Sequence, residues 1–230
     1  MNGHDFRFAD TTLTALSSGA LWWAENRVLT VSDLHLGKAE RAARRGGPML
    51  PPYEVQDTLT RLDRDVQQTR AKTIICLGDS FDDLAAADNL SEEARLWITR
   101  LQAGRRWIWI EGNHDAGPTA LGGTHLAELT LSPLTFRHIA RAEARAEISG
   151  HYHPKATLHA KGRAITRSCF LYDKTRVILP AYGTYTGGLH STAEALSRLM
   201  LPNAMAILTG PNPARVPMPR RQENRDSTAS

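Results

Sequence analysis

The amino-acid sequence predicts an α/β sandwich, and three observations carry that expectation. Short apolar segments alternate with segments of helical periodicity through the first half of the chain. The second half, from about 127 to 180, is strand-rich with short connections. Polar blocks rich in Asp, His and Gly stand directly after several of the apolar segments.

Taken in order, the apolar runs at 27–31 (RVLTV), 73–77 (TIICL), 107–110 (WIWI), 129–136 and 176–180 (RVILP) are mostly too short for helices and read as strands. Between the first two, Val55, Leu59, Leu62 and Val66 recur at helical spacing after Pro51 and Pro52. Leu96, Trp97 and Leu101 do the same after Ser91, so both segments predict helices with a core-facing stripe. Ser191 followed by Glu194 has the form of a capping box, with Ala195, Leu196 and Leu199 behind it, and 204–208 adds a final strand. Trp22, Trp23, Trp107 and Trp109 are expected in the core.

The chain of 230 residues, 41% hydrophobic and 23% charged, suits one folded domain over 1–210. From Gly210 onward the composition turns to Pro, Arg, Asn, Ser and Thr, so 211–230 is expected to be a disordered tail. Cys76 and Cys169 lie far apart in apolar runs and read as buried thiols. No basic start with an apolar run opens the chain, and no segment approaches the roughly 18 apolar residues of a membrane span. A cytoplasmic location without membrane association is the expectation. The net charge of +4 is concentrated in Lys38, Arg41, Arg44 and Arg45 and in Arg215, Arg220 and Arg221.

Four polar blocks follow strands: Ser32-Asp33-Leu34-His35, Gly78-Asp79, Gly112-Asn113-His114-Asp115 and Gly150-His151-Tyr152-His153. Strand ends are where an open α/β sheet presents ligands. Alternation along an extended backbone would aim Asp33 with His35, and His151 with His153, at one point. The glycines before Asp79, Asn113 and His151 allow sharp turns. Carboxylate, imidazole and amide donors without thiolate suit manganese, iron or zinc rather than a Cys-rich structural site. A single DxH or GD is more often a helix cap or a turn; the weight lies in all four blocks occurring in this order.

That series, DxH, GD, GNHD, a separate His and GHxH, resembles the calcineurin-like metallophosphoesterase superfamily over about residues 25 to 190. SDLHLGK, SGHYHP and LPAYGTYTGGL within it are similar to the bacterial ligase-associated DNA-damage-response endonucleases, the PdeM-type branch. The resemblance implies a four-layer αββα sandwich with mixed sheets. It implies two divalent ions, manganese ahead of iron or zinc, the first held by Asp33, His35 and His153 and the second by Asn113, His138 and His151, with Asp79 bridging. His138 is preferred to His125 as the separate His, because it ends an apolar stretch shortly before GHYH. His114 stays off the metals as proton donor or phosphate ligand, and Asp115 is placed beside it either as its orienting carboxylate or as a turn residue.

Two ions about 3.5 to 4 Å apart can share a hydroxide that attacks phosphorus in line. The implied activity is a DNA endonuclease on single-stranded DNA in repair, functionally linked to a DNA ligase, helicase and exonuclease. A small-molecule phosphodiesterase or phosphatase on the same scaffold is the alternative, and a metal-free binding module the third. Lys38, Arg41, Arg44 and Arg45 follow the DxH block and could track a phosphate backbone. Tyr152, Tyr182 and Tyr185 could stack an unpaired base.

Overall fold

Alternate residues of TIICL bury in opposite directions: Ile74 and Cys76 join one apolar cluster, Ile75 and Leu77 another. A strand that is apolar on both faces has to be covered on both. In the structure, a computed structural model that describes residues 2–221 except 48, 116, 118, 119 and 161, helices cover one face and a second sheet covers the other.

The first sheet runs in chain order: β1 (Gly3–Phe8), β2 (Thr11–Leu16), β3 (Leu21–Trp23), β4 (Val28–Val31), β5 (Thr73–Leu77), β6 (Arg106–Ile110) and β7 (Thr124–Leu126). Pairing is antiparallel from β1 to β4 and parallel from β4 to β7. Helices α1 (Lys38–Arg44) and α2 (Glu54–Thr69) connect β4 to β5, and α3 (Leu84–Asp88) and α4 (Glu92–Gln102) connect β5 to β6. Leu59, Leu62 and Val66 of α2 and Ile98 and Leu101 of α4 pack with Leu29, Ile74 and Trp107. Burying one such side chain contributes about 1.5–3 kcal/mol, and Leu62→Ala would cost about 2–5.

The second sheet comprises β8 (Glu128–Leu131), β9 (Leu134–Arg137), β10 (Glu147–Ser149), β11 (Lys155–Ala160), β12 (Arg163–Tyr172), β13 (Arg176–Ile178), β14 (Met205–Leu208) and β15 (Ala214–Pro217). Its spatial order is β15-β14-β12-β13-β10-β9-β8, with β11 paired to β12. β10 lies parallel to β9 and β13 while the remaining pairs are antiparallel, so this sheet too is mixed. Phe136, Ile148, Phe170 and Val177 face the first sheet; Cys169, Leu171 and Ile178 face α5 (Glu194–Leu199) on the outside. The layers are therefore α, β, β and α, the sandwich expected from the sequence.

Several details differ from that expectation. The strands before β4 escape sequence reading: threonines and charges interrupt the apolar pattern of β1 and β2, and β3, Leu21–Trp23, is only three residues long. The run 129–136 is a hairpin, β8 and β9, folded at Ser132-Pro133. Leu96 of α4 is 62% exposed, and Ala94, Ile98 and Leu101 form its buried face. Ser91 caps α4 by accepting from the Ala94 N–H, but Ser191 caps nothing: its own N–H donates to the Lys155 carbonyl, and α5 starts after Ala193. The chain beyond Gly210 is not structureless throughout, since β15 pairs with β14 and buries Met218. Ladder hydrogen bonds there join the packing of Val216 and Met218 as the compensation for ordering; the rest of the expected tail, 222–230, lies outside the described residues. Trp22, Trp23, Trp107, Trp109 and both cysteines are buried, and burial pushes the Cys169 thiol up to about 12. No described helix is long and apolar enough to cross a membrane.

Candidate metal centre

The parallel strands β4, β5 and β6 end side by side, and the blocks after them stay in register past the sheet. The Asp33 and His35 N–H groups donate to the Gly78 and Asp79 carbonyls at 3.2 and 2.9 Å. From the second sheet, His138 follows β9, and His151 and His153 follow β10, with the Gly150 N–H donating to the His138 carbonyl at 2.9 Å. Both sheets thus deliver polar side chains to one edge.

Extended alternation does not bring these side chains together. Asp33 (φ 54°), His35 (44°), Asp79 (46°), His151 (70°) and His153 (46°) all adopt the left-handed region. Asp and His enter it more readily than bulkier residues, yet such conformations cost on the order of 1–3 kcal/mol each and cluster at functional sites. The glycines also act differently from the sequence reading. Only Gly78 has a positive φ, 76°. Gly150 is required for clearance, because a Cβ there would sit 1.7 Å from Ser32 Oγ.

Two groups result, each with one donor atom per residue and all donors within 4.8 Å of one another: Asp33, His35 and His153, and Asp79, His138 and His151. In the first, Asp33 Oδ1, His35 Nε2 and His153 Nε2 are buried without a hydrogen-bond partner. Asp33 Oδ1 and His153 Nε2 are only 3.0 Å apart, but as an ion-pair distance without hydrogen-bond geometry. His35 Nδ1 donates to Asp82 Oδ1 at 2.9 Å, which leaves its Nε2 with a lone pair. Buried atoms of this kind are costly unless a cation satisfies them.

In the second group His138 Nδ1 donates to the Leu77 carbonyl at 3.0 Å, so the neutral ring has a lone pair on Nε2. That nitrogen faces Asn113 Oδ1 at 3.0 Å, His151 Nδ1 at 3.2 Å and Asp79 Oδ2 at 3.3 Å. Electron-rich atoms converging in this way call for a positive charge among them. Despite burial, Asp79 raises the His138 pKa by hydrogen bond and charge, and Asp33 adds to it. Burial would lift Asp79, but His138 and the His114 N–H hold it down to about 2. Asp33, fully buried, is likewise held below the usual carboxylate range, by His153, His138 and Ser32. Both donor sets fit divalent cations.

All seven residues expected as ligands meet here. His125 does not; it lies on β7 with its ring stacked on Trp109 at 6.3 Å. His114 is half-buried, edge-on to His35 at 5.2 Å, and its Nδ1 donates to the Asp82 carbonyl at 2.9 Å. Asp115 does not orient it. Its carboxylate accepts the Asp79, Ser80, Phe81 and Gly112 N–H groups at 2.7–3.2 Å, tying two ligand-bearing turns together as a turn residue.

Asp82 is the residue that sequence reading missed. Burial would lift its pKa, but the hydrogen bonds it accepts from His35 and, at 2.8 Å, from Arg41 hold it down. His35, Asp82 and His114 also converge closely enough for an ion, but with both Nδ1 atoms committed to Asp82 they form a hydrogen-bonded support. The basic segment is largely neutralised: Arg41, Arg44 and Arg45 pair with Asp83 at 3.0–3.7 Å, Arg44 with Glu40, and Lys38 approaches Asp82 at 4.0 Å. Tyr182 is fully buried and donates to Asp65, so it cannot stack a base; Tyr152 lies edge-on to His151, and Tyr185 is 42% exposed.

A family model described as calcineurin-like phosphoesterase matches residues 26–178, a span that contains all seven candidate ligands. No curated protein sequence matches the chain. Among solved structures it is similar to the crystal structure of Pseudomonas putida nuclease MPE, with 28% identity over 93% of this chain and 100% of that one and a TM-score of 0.72. With two cation-fitting donor sets built at the junction of its sheets, the chain belongs to the calcineurin-like phosphoesterase family and is a metal-dependent phosphoester hydrolase.

Proposed function

We propose that the protein is a binuclear phosphodiesterase that cuts DNA as an endonuclease, preferring single strands, in nucleic-acid repair. Asp33, His35 and His153 hold one ion, Asn113, His138 and His151 the other, and Asp79 serves both. Divalent ions, manganese first, supply Lewis acidity and an activated water nucleophile. The observation that carries the reading is the convergence of two groups of donor atoms at one edge, those of the first group buried without partners, with His114 beside them. His114 donates its Nδ1–H to the Asp82 carbonyl, and with a second proton on Nε2, as the imidazolium, it would protonate the leaving oxygen or donate to a phosphoryl oxygen. The similar Pseudomonas protein is a nuclease, which supports a nucleic acid as substrate. A cytoplasmic location and a functional link to a DNA ligase, helicase and exonuclease belong to the same reading.

One observation favours a small-molecule diester instead: the cations of α1 face carboxylates and are poorly placed to meet a polyanion. Manganese-supplemented protein assayed against single-stranded DNA, duplex DNA and an aryl phosphodiester separates the two. Cleavage of single-stranded DNA is expected, and turnover of the aryl diester alone would remove the nuclease reading.

A further inference from the structure

Lys155, Lys161, Arg163 and Arg167 fall in the stretch between Glu147 and Asp173, which contains no other Asp or Glu. Lys161 lies outside the described residues. β11 begins two residues after His153 and pairs with β12 from Lys155↔Ser168 to Ala160↔Arg163. β12 meets β14 only from Cys169 onward, so the earlier part of this ribbon extends beyond the sheet, away from the metal centre's second histidine pair. Arg163 and Arg167 are exposed and flank Ile165, 43% exposed, on one face.

None of Lys155, Arg163 and Arg167 has an ion pair among the described residues, in contrast to the cations of α1. Edge strands carry charge to prevent pairing with other chains. That purpose is met by either sign and does not require carboxylates to be absent from both strands. An uncompensated cationic ribbon that starts at the catalytic edge is what a strand of phosphates needs, and six extended residues reach about 20 Å.

We propose that the β11–β12 ribbon binds the phosphodiester backbone of the nucleic-acid strand being cut, an assignment that rests on the nuclease reading above. The test is the double variant Arg163→Gln/Arg167→Gln, assayed with a single-stranded oligonucleotide, its duplex and an aryl phosphodiester over a salt series. On the oligonucleotide, kcat/KM should fall about tenfold or more at low salt. The slope of log kcat/KM against log salt should flatten by about 1.4, at roughly 0.7 per lost phosphate contact. Aryl diester turnover should be unchanged, and Arg163→Lys/Arg167→Lys should keep the salt slope, because counterion release counts charges. A comparable loss on the duplex identifies the backbone as the recognised element, and a loss confined to single strands assigns the ribbon to unpaired chains. An unchanged oligonucleotide slope in a wild-type enzyme that does cut DNA would overturn the ribbon while sparing the nuclease. Equal losses on the aryl diester would overturn it as a structural defect. A wild type active on the aryl diester alone would remove both.

Discussion

The two donor groups stand a few ångströms apart but are built differently. The group around Asp33 is backed by a carboxylate: Asp82 grips His35 from behind, and three donor atoms in front have no partner. The group around Asp79 is backed by a neutral carbonyl, Leu77, and its donors lean on one another. A carboxylate behind an imidazole raises its basicity and fixes its tautomer more strongly than a carbonyl does. From this difference we expect the first group to take its cation the more tightly of the two, because its donor atoms already stand without partners, whereas those of the second must exchange contacts with one another for contacts to an ion.

The strongest way to break this distinction is at the residue assigned to both groups. Asp79→Ala should lower phosphodiesterase turnover by more than about a thousandfold, above the ~10–100-fold typical of an outer partner. Metal per chain after dialysis should fall below one, and two retained equivalents would sink the shared assignment. Next, His114→Ala should cost on the order of a hundred- to a thousandfold in kcat with both equivalents of metal intact. Loss of metal in step with activity would instead place His114 among the ligands.

Asp82→Asn sharpens the comparison directly. Manganese titration should show the tighter of two binding steps weakened by about 10–100-fold and the weaker step unmoved; equal weakening of both would erase the asymmetry. The smallest effect is thermal. Manganese at a hundredfold excess over its Kd should add about 2.7 kcal/mol to the chelated protein, raising Tm by roughly 5–10 °C. The rise should shrink in Asp33→Asn, where the first group loses its buried charge, and an undiminished rise would count against that group as the tighter one.

Much of the site was legible from spacing. Polar blocks after apolar runs located six candidate ligands, four of them in blocks led by a glycine, and the end of an apolar stretch located His138. What was not legible depended on contacts distant in sequence. Nothing in GDSFDD distinguishes Asp82, which turns inward to His35, from Asp83, which caps α3 by accepting from the Ala86 N–H. The α1 cations read as a phosphate track because their carboxylate partners lie some 40 positions away. Tyr182 read as a stacking residue because its partner, Asp65, is on α2. The fold was legible where both faces of a strand are apolar, as in β5 and β6, and illegible in β1 and β2, whose outward faces are polar.

The chain completes one sheet before beginning the other, yet each donor group draws from both: Asp33 and His35 with His153, Asp79 with His138 and His151. A cut at residue 127, between β7 and β8, would leave two fragments that each carry ligands and neither of which carries a set. Activity regained on mixing them would report reassembly of the sheet interface alone, which makes the protein a natural split reporter whose signal cannot arise from either piece.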